Sequence, residues 1–171
     1  MPFTPYHLGP SGFVGLSLRK WIDLPVFVLA NVVVDIEVLF FNKWPIHRHF
    51  HTLLIGAVAG AIWAAAAYPL RAVFGKLMNF LRLPYKSGPL KMVVSGILGV
   101  WLHVAIDAVY HYDVLLFWPN RARPLFNILT QSQVKFVCIG FFVAAAAVYL
   151  VGRIRQTRAN NSPAKPLNRT Q

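Results

Sequence analysis

Ten side chains of the metal-ligating kind fall in or beside strongly apolar segments of this chain: His7, Asp35, Glu37, His47, His49, His51, His103, Asp107, His111 and Asp113. They comprise every histidine and four of the five acidic residues. An ionisable group at membrane depth is costly, so it is retained with a partner or a task. Their spacing is informative. His103, Asp107 and His111 stand at i, i+4 and i+8, positions that drift by only about 40° per step on an α-helix, so one helix stripe can offer all three to a cavity. His47 and His51 repeat the i, i+4 step, with which one helix presents two imidazoles to a metal ion. Asp35 and Glu37 are two apart, about 200° around a regular helix. Both reach one site only where the helix ends or unwinds. Asn31, one turn before Asp35, is placed to orient it. Interhelical hydrogen bonds and an interfacial polar cap are the structural alternatives for the same residues.

This set mixes imidazole with carboxylate and contains no cysteine. It suits a divalent metal, Zn²⁺ first, with Mn²⁺ or Fe²⁺ as alternatives. The metal ligands expected are His7, Asp35, His47, His51, His103, Asp107 and His111. Glu37 or Asp113 is expected to serve as the base. Arg48 is placed to clamp a phosphate, with Arg121 and Arg123 as further candidates.

The elements that must carry these residues are membrane helices. Of 171 residues 57% are hydrophobic and only 13% charged, where a soluble domain carries about 25% charged residues. Four apolar stretches approach the roughly 20 residues that span a bilayer: about Leu24–Phe41, Thr52–Leu70, Met92–Tyr110 and Val134–Gly152. A fifth, His7–Leu18, is about 18 Å long as a helix, too short to cross. The expected fold is therefore all-α: a polytopic bundle of four transmembrane helices plus a short, half-inserted N-terminal helix. Residues 1–152 form one integral membrane domain, and 153–171 form a basic, disordered tail. Pro45 suits the first turn of the second span, and Trp44 suits an interfacial anchor. Gly56 and Gly60 permit close helix approach. Cys138, alone within the last span, reads as a packing residue. The opening residues lack the basic region and cleavage site of a signal peptide.

A net charge of +12 invites a nucleic-acid partner, but its distribution argues for membrane topology. Arg19, Lys20, Arg71, Lys76, Arg82, Lys86, Lys91, Arg153, Arg155, Arg158, Lys165 and Arg169 lie in one set of connections. Lys43, Arg48, Arg121, Arg123 and Lys135 lie in the alternating set. The positive-inside rule puts the 71–91 connection and the C-terminus in the cytoplasm. The ligand-bearing ends of the spans then share one depth at the outer face. No nucleic-acid partner is expected.

The assembled residues resemble a family of bacterial inner-membrane, metal-dependent hydrolases of the YdjM-like kind. The likeness rests on Met-Pro-Phe-Thr-Pro-Tyr-His-Leu-Gly-Pro at the start, Asp35-Ile36-Glu37, the run from Trp44 to Thr52, and His103-x-x-x-Asp107 followed by His111-Tyr112-Asp113. The ligand order is also similar to that of the zinc-dependent phospholipase C and single-strand nuclease superfamily, helical proteins that cleave phosphodiesters. The resemblance implies His7, Asp35, His51, His103 and Asp107 as shared metal ligands. The chain has Val34-Asp35-Ile36-Glu37-Val38 where the YdjM-like pattern has Pro-Asp-x-Asp-His, and it lacks the downstream His-x-x-x-Glu of the phospholipases. The function expected is a membrane-embedded hydrolase of a phosphoester or phosphodiester, on a lipid headgroup or an envelope-related molecule, with its site facing outside. Membrane lipid and a small-molecule or lipid phosphoester are the expected partners, and a homo-oligomer is compatible with the chain. The alternatives are a proton- or metal-coupled small transporter and a non-enzymatic protein with a structural metal site.

Overall fold

The computed structural model describes residues 4–37, 47 and 49–161. Arg48, Trp44 and Pro45 lie outside them. Among the described residues the chain is all-α, without a strand. A 3-10 turn, Thr4–His7, leads into α1, Leu8–Ser17; α2 is Leu24–Val34; α3 is Leu53–Ala67. A second 3-10 turn, Tyr68–Leu70, joins α3 to α4, Arg71–Phe80, and Pro69 within it withholds a helical N–H. The two longest apolar helices follow: α5, Pro89–Ala108, and α6, Gln131–Asn161.

Among the described residues three helical stretches are long and apolar enough to cross a membrane, where four were expected: Leu53–Phe80, Pro89–Ala108 and Gln131–Ala159. The expected first span shortens to the eleven residues of α2. That is about 16 Å of helix, and Asp35 stands at its C-cap. Residues 38–41, the rest of that expected span, lie outside the described residues. At the other end of the chain, the boundary expected at Gly152 falls inside α6, which continues to Asn161.

The second span also begins later than its histidines suggest. Thr52 adopts extended backbone and accepts a hydrogen bond from the Ile55 N–H, fixing the first helical residue at Leu53. His47 and His51 therefore precede α3 and are not helical neighbours.

Packing centres on α5, which lies against α3 on one side and α2 on the other. The α3–α5 crossing is tight because glycines face each other: a Cβ on Gly60 would stand 2.6 Å from the Gly96 carbonyl oxygen. Val26, Ala30, Val34, Val100 and Val104 fill the α2–α5 interface and are fully buried. On the flank α1 packs along α6, with Cys138 buried there as a packing residue.

Five of the helices have one end in each of two zones, α4 lying wholly in the second. The first holds the C-termini of α2 and α5 and the N-termini of α1, α3 and α6. The second holds the opposite ends, with most of the lysines and arginines. In the second zone Asp23 is buried as the N-cap of α2, donating its N–H to the Ser95 hydroxyl at 2.6 Å and accepting from Val26 N–H, from the Tyr85 hydroxyl at 2.9 Å and from the Ser87 hydroxyl. Burial and the neighbouring Asp23 push the Tyr85 hydroxyl up to about 12.

Candidate metal centre

The first zone is where the sequence-predicted ligands meet. α5 carries His103 and Asp107 one turn apart on its buried stripe, with His103 Nε2 3.1 Å from Asp107 Oδ2. α2 stops at Val34, and Asp35 turns its carboxylate toward α5, where Oδ1 stands 3.2 Å from His103 Nε2. The turn before α3 brings His51 Nε2 to 3.4 Å from Asp35 Oδ1 and 3.8 Å from Asp107 Oδ2. These four residues each offer a ligand atom, all within 4.8 Å of one another. A second set, His47, His111 and Asp107, meets the same criterion. His47 Nε2 is 3.7 Å from Asp107 Oδ2. Asp107 belongs to both sets.

Two carboxylates hold the histidines in place from behind. Glu37 accepts from the backbone N–H groups of His49 and Phe50, at 2.8 and 3.1 Å, and from His51 Nδ1 at 3.1 Å. Asp113 accepts from the His47 backbone N–H at 3.0 Å and from His47 Nδ1 at 3.1 Å. An ionised carboxylate can only accept, so both bonds put the ring proton on Nδ1. That leaves each Nε2 turned toward Asp107 with a lone pair. Such carboxylate–histidine pairs are the usual support for metal-bound imidazoles. His47 and the 49–52 turn are thus held by Asp113 and Glu37, and convergence of His47 and His51, whose ring centroids are 4.6 Å apart, comes from these acids and not from helical spacing.

α5 ends at Ala108, so His111 leaves the helix as well. It returns through a turn in which the Asp107 carbonyl accepts from the N–H groups of Tyr110 and His111. His111 Nε2 and His51 Nε2 are buried without a hydrogen-bond partner, which is costly unless something else satisfies them. Four ligands about 2.0–2.1 Å from a zinc ion in tetrahedral array stand roughly 3.3 Å apart. Four of the six separations in the four-residue set, 3.1–3.8 Å, are close to that spacing, and all the ligand atoms lie within 4.8 Å of one another. The chemistry and grouping of the donors suit a divalent ion.

The remaining expected residues sort by position. His7 is in neither set; its Nε2 stands 3.2 Å from Asp107 Oδ1, the oxygen turned away from the other histidines. Asn31 donates its amide to the Phe27 and Val28 carbonyls. His49 is exposed, its ring against Trp118. Arg123 stacks its guanidinium over Tyr112, 4.1 Å from the ring centroid, and Arg121 is exposed. Tyr110, not among the residues expected from sequence, donates its hydroxyl to Asp107 Oδ1 at 3.0 Å; its i+3 spacing from Asp107 is the signal the sequence carries. Next to Tyr110 and His7 lies a cavity of about 10 Å³, bounded also by Tyr6, Gln131 and Lys135, room for about one water.

Electrostatics outside the spans follow from these contacts. Burial pushes the His111 imidazole down to about 4, keeping it neutral at physiological pH. Burial opposes ionisation of Asp113, but the hydrogen bonds from His47 outweigh it and hold the carboxyl well below the usual range. Burial opposes a charged His51 too, yet the neighbouring carboxylates of Asp35 and Glu37 raise its pKa. The same carboxylates that favour a proton there favour a metal cation.

A family model described as YdjM inner membrane protein matches residues 10–162. The chain belongs to the YdjM inner membrane protein family. The match includes all of the ligand positions above except His7. No curated protein and no solved structure matches the chain.

Proposed function

We propose that this YdjM-family protein is a membrane-embedded metal-dependent hydrolase acting on a phosphoester or phosphodiester. One observation carries the reading: a four-ligand set, Asp35, His51, His103 and Asp107, stands beside a three-ligand set, His47, His111 and Asp107. Four protein ligands are typical of a closed metal site, and three with an open position are typical of a catalytic one. The four carboxylates Asp35, Glu37, Asp107 and Asp113 match the charge of two divalent cations. When bound, such ions polarise an ester oxygen and acidify a water.

The chain's own residues supply position. Asp107 is shared between the sets and is held on its far oxygen by His7 and Tyr110. Glu37 and Asp113, expected from sequence as bases, act as positioning residues that fix the tautomers of His51 and His47. Asp35 and His111 keep 19% and 20% of their side chains exposed, and substrate reaches the cluster along that edge. The ligand order, similar to that of zinc-dependent phospholipases C and single-strand nucleases, supports a phosphodiester over a carboxylic ester. The site faces the outside, with the basic zone in the cytoplasm.

Elemental analysis of detergent-purified protein, wild type beside His103→Ala and Asp107→Ala, is the first test. Stoichiometric zinc, manganese or iron in the wild type and its loss in both variants is the expected result. Hydrolysis of bis-p-nitrophenyl phosphate by the metal-loaded wild type then completes it. Metal without turnover on any phosphoester would favour a second reading, a metal that staples the bundle. The burial of His51, His103 and Asp107, all at or below 1% exposure, is the observation on that side. Absence of metal from well-folded wild type would overturn both.

A further inference from the structure

A cleft of about 400 Å³ lies in the second zone, between α1, α2, α4 and α6 and remote from the metal centre. Leu16, Leu24, Val28, Leu77, Leu83 and Tyr149 line it. Its volume is within the roughly 300–1,000 Å³ of ligand pockets, yet its lining is almost wholly apolar. The Tyr149 hydroxyl is already committed to the Leu81 carbonyl at 3.1 Å. Such a cleft recognises a hydrocarbon chain.

The rim has the opposite character. Arg82 stands between the lining residues Leu81 and Leu83, at a positive φ of 52°. Arg19 follows Leu16 by three residues, and its guanidinium reaches α6 at Gly152, where an added Cβ would meet it at 3.4 Å. Arg153 is one turn beyond Tyr149, and donates to Gln156. Of the five side-chain carboxylates in the chain, four lie at the metal end. The fifth, Asp23, is buried and held by Tyr85 and Ser87. No side-chain carboxylate at this end therefore remains for Arg19, Arg82 or Arg153. Guanidinium groups are matched to phosphate by their forked donors; Arg82 lies within the lining segment itself, and Arg19 and Arg153 follow the lining residues Leu16 and Tyr149 by about one helical turn.

We propose that this cleft is a binding site for an anionic phospholipid, one acyl chain in the cleft and the phosphate on Arg19, Arg82 and Arg153. The site is separate from the hydrolytic reading, because lipid held here lies at the far end of the bundle from the metal ligands. Lipid retention tests it, with full-length protein in neutral detergent exposed to phosphatidylglycerol or phosphatidylcholine of identical chains and analysed by mass spectrometry. The wild type is expected to retain about one phosphatidylglycerol, with a preference of about tenfold over phosphatidylcholine. Arg19→Gln with Arg82→Gln should collapse that preference. Val28→Phe and Leu77→Phe, which fill the cleft, should reduce retention of both lipids while metal content stays at the wild-type level. Equal retention of the two lipids, retention of neither, or cleft variants that hold phosphatidylglycerol like the wild type would each overturn the proposal. Should the phenylalanine variants not fold, Leu16→Trp with a brominated phosphatidylglycerol provides a second readout. Quenching beyond that of the parent protein supports a chain in the cleft, and none overturns it.

Discussion

Asp107 Oδ2 lies within 4 Å of the Nε2 atoms of His47, His51 and His103, so its loss removes a donor from both ligand sets. Asp107→Asn should therefore abolish all bound metal. The supporting acids should behave differently. Glu37→Gln and Asp113→Asn leave every ligand atom in place but release one ring each, and are expected to lower metal affinity by about 10–100-fold. His49→Ala should bind normally. Competition with a chromophoric chelator measures all of these, and a normal affinity in Glu37→Gln would contradict its positioning role. The same titration carries a pH signature. His51 has its pKa raised above 6.5 by Asp35 and Glu37, so below that raised value an incoming ion must expel a proton from Nε2. Affinity should therefore climb by about tenfold per pH unit for each proton displaced, flattening once pH exceeds the raised pKa. His111, pushed down to about 4, adds nothing to that slope above pH 6. An affinity that does not change as pH rises from 6.5 would argue against ligation through His51.

At the scale of helices, the Gly60–Gly96 contact sets how closely α3 and α5 approach, and hence whether His51 and His103 can share an ion. Gly60→Leu forces the helices apart and should cost about 1–3 kcal/mol or more, read as a lower melting temperature in detergent together with reduced metal retention. Gly140→Ala is the control, because an added Cβ there meets nothing within 4 Å. What the sequence revealed about these elements follows a physical line. Helix periodicity is local, so the His103–Asp107 pair on one stripe and the small-residue contact through Gly60 were both legible. Helix ends are decided by capping and by partners distant in sequence. The Thr52 cap displaced His47 and His51 from the helix assumed for them, and only the contacts from Glu37 and Asp113, twelve to sixty-six residues away, restored their convergence. The same reasoning failed at α2, whose apolar run looked long enough to span but whose described helix ends at Val34. Asp23 went unread because an N-cap ahead of Leu24-Pro25 does not by itself disclose the hydroxyls that gather on it.

For the molecule as a whole, the proposed orientation of the two zones can be checked directly. In a Cys138→Ser background, Arg121→Cys should react with a membrane-impermeant thiol reagent in intact cells. Arg155→Cys should react only after permeabilisation. The reverse pattern would invert the proposed topology and place the metal centre inside. The segregation of charge between the zones has an electrical meaning as well. Among the described residues nearly all carboxylates sit at one end of the bundle and most of the cations at the other, so in the proposed topology the molecule is a dipole along the membrane normal. A cytoplasmic membrane is energised, and moving one elementary charge through 100 mV is worth about 2.3 kcal/mol. With its basic end inside, as proposed, the protein would sit with the field, and inverting it would mean carrying cations outward against the voltage. Divalent ions bound at the proposed centre would neutralise the negative pole, so metal loading would weaken the dipole and make the molecule less responsive to the membrane potential.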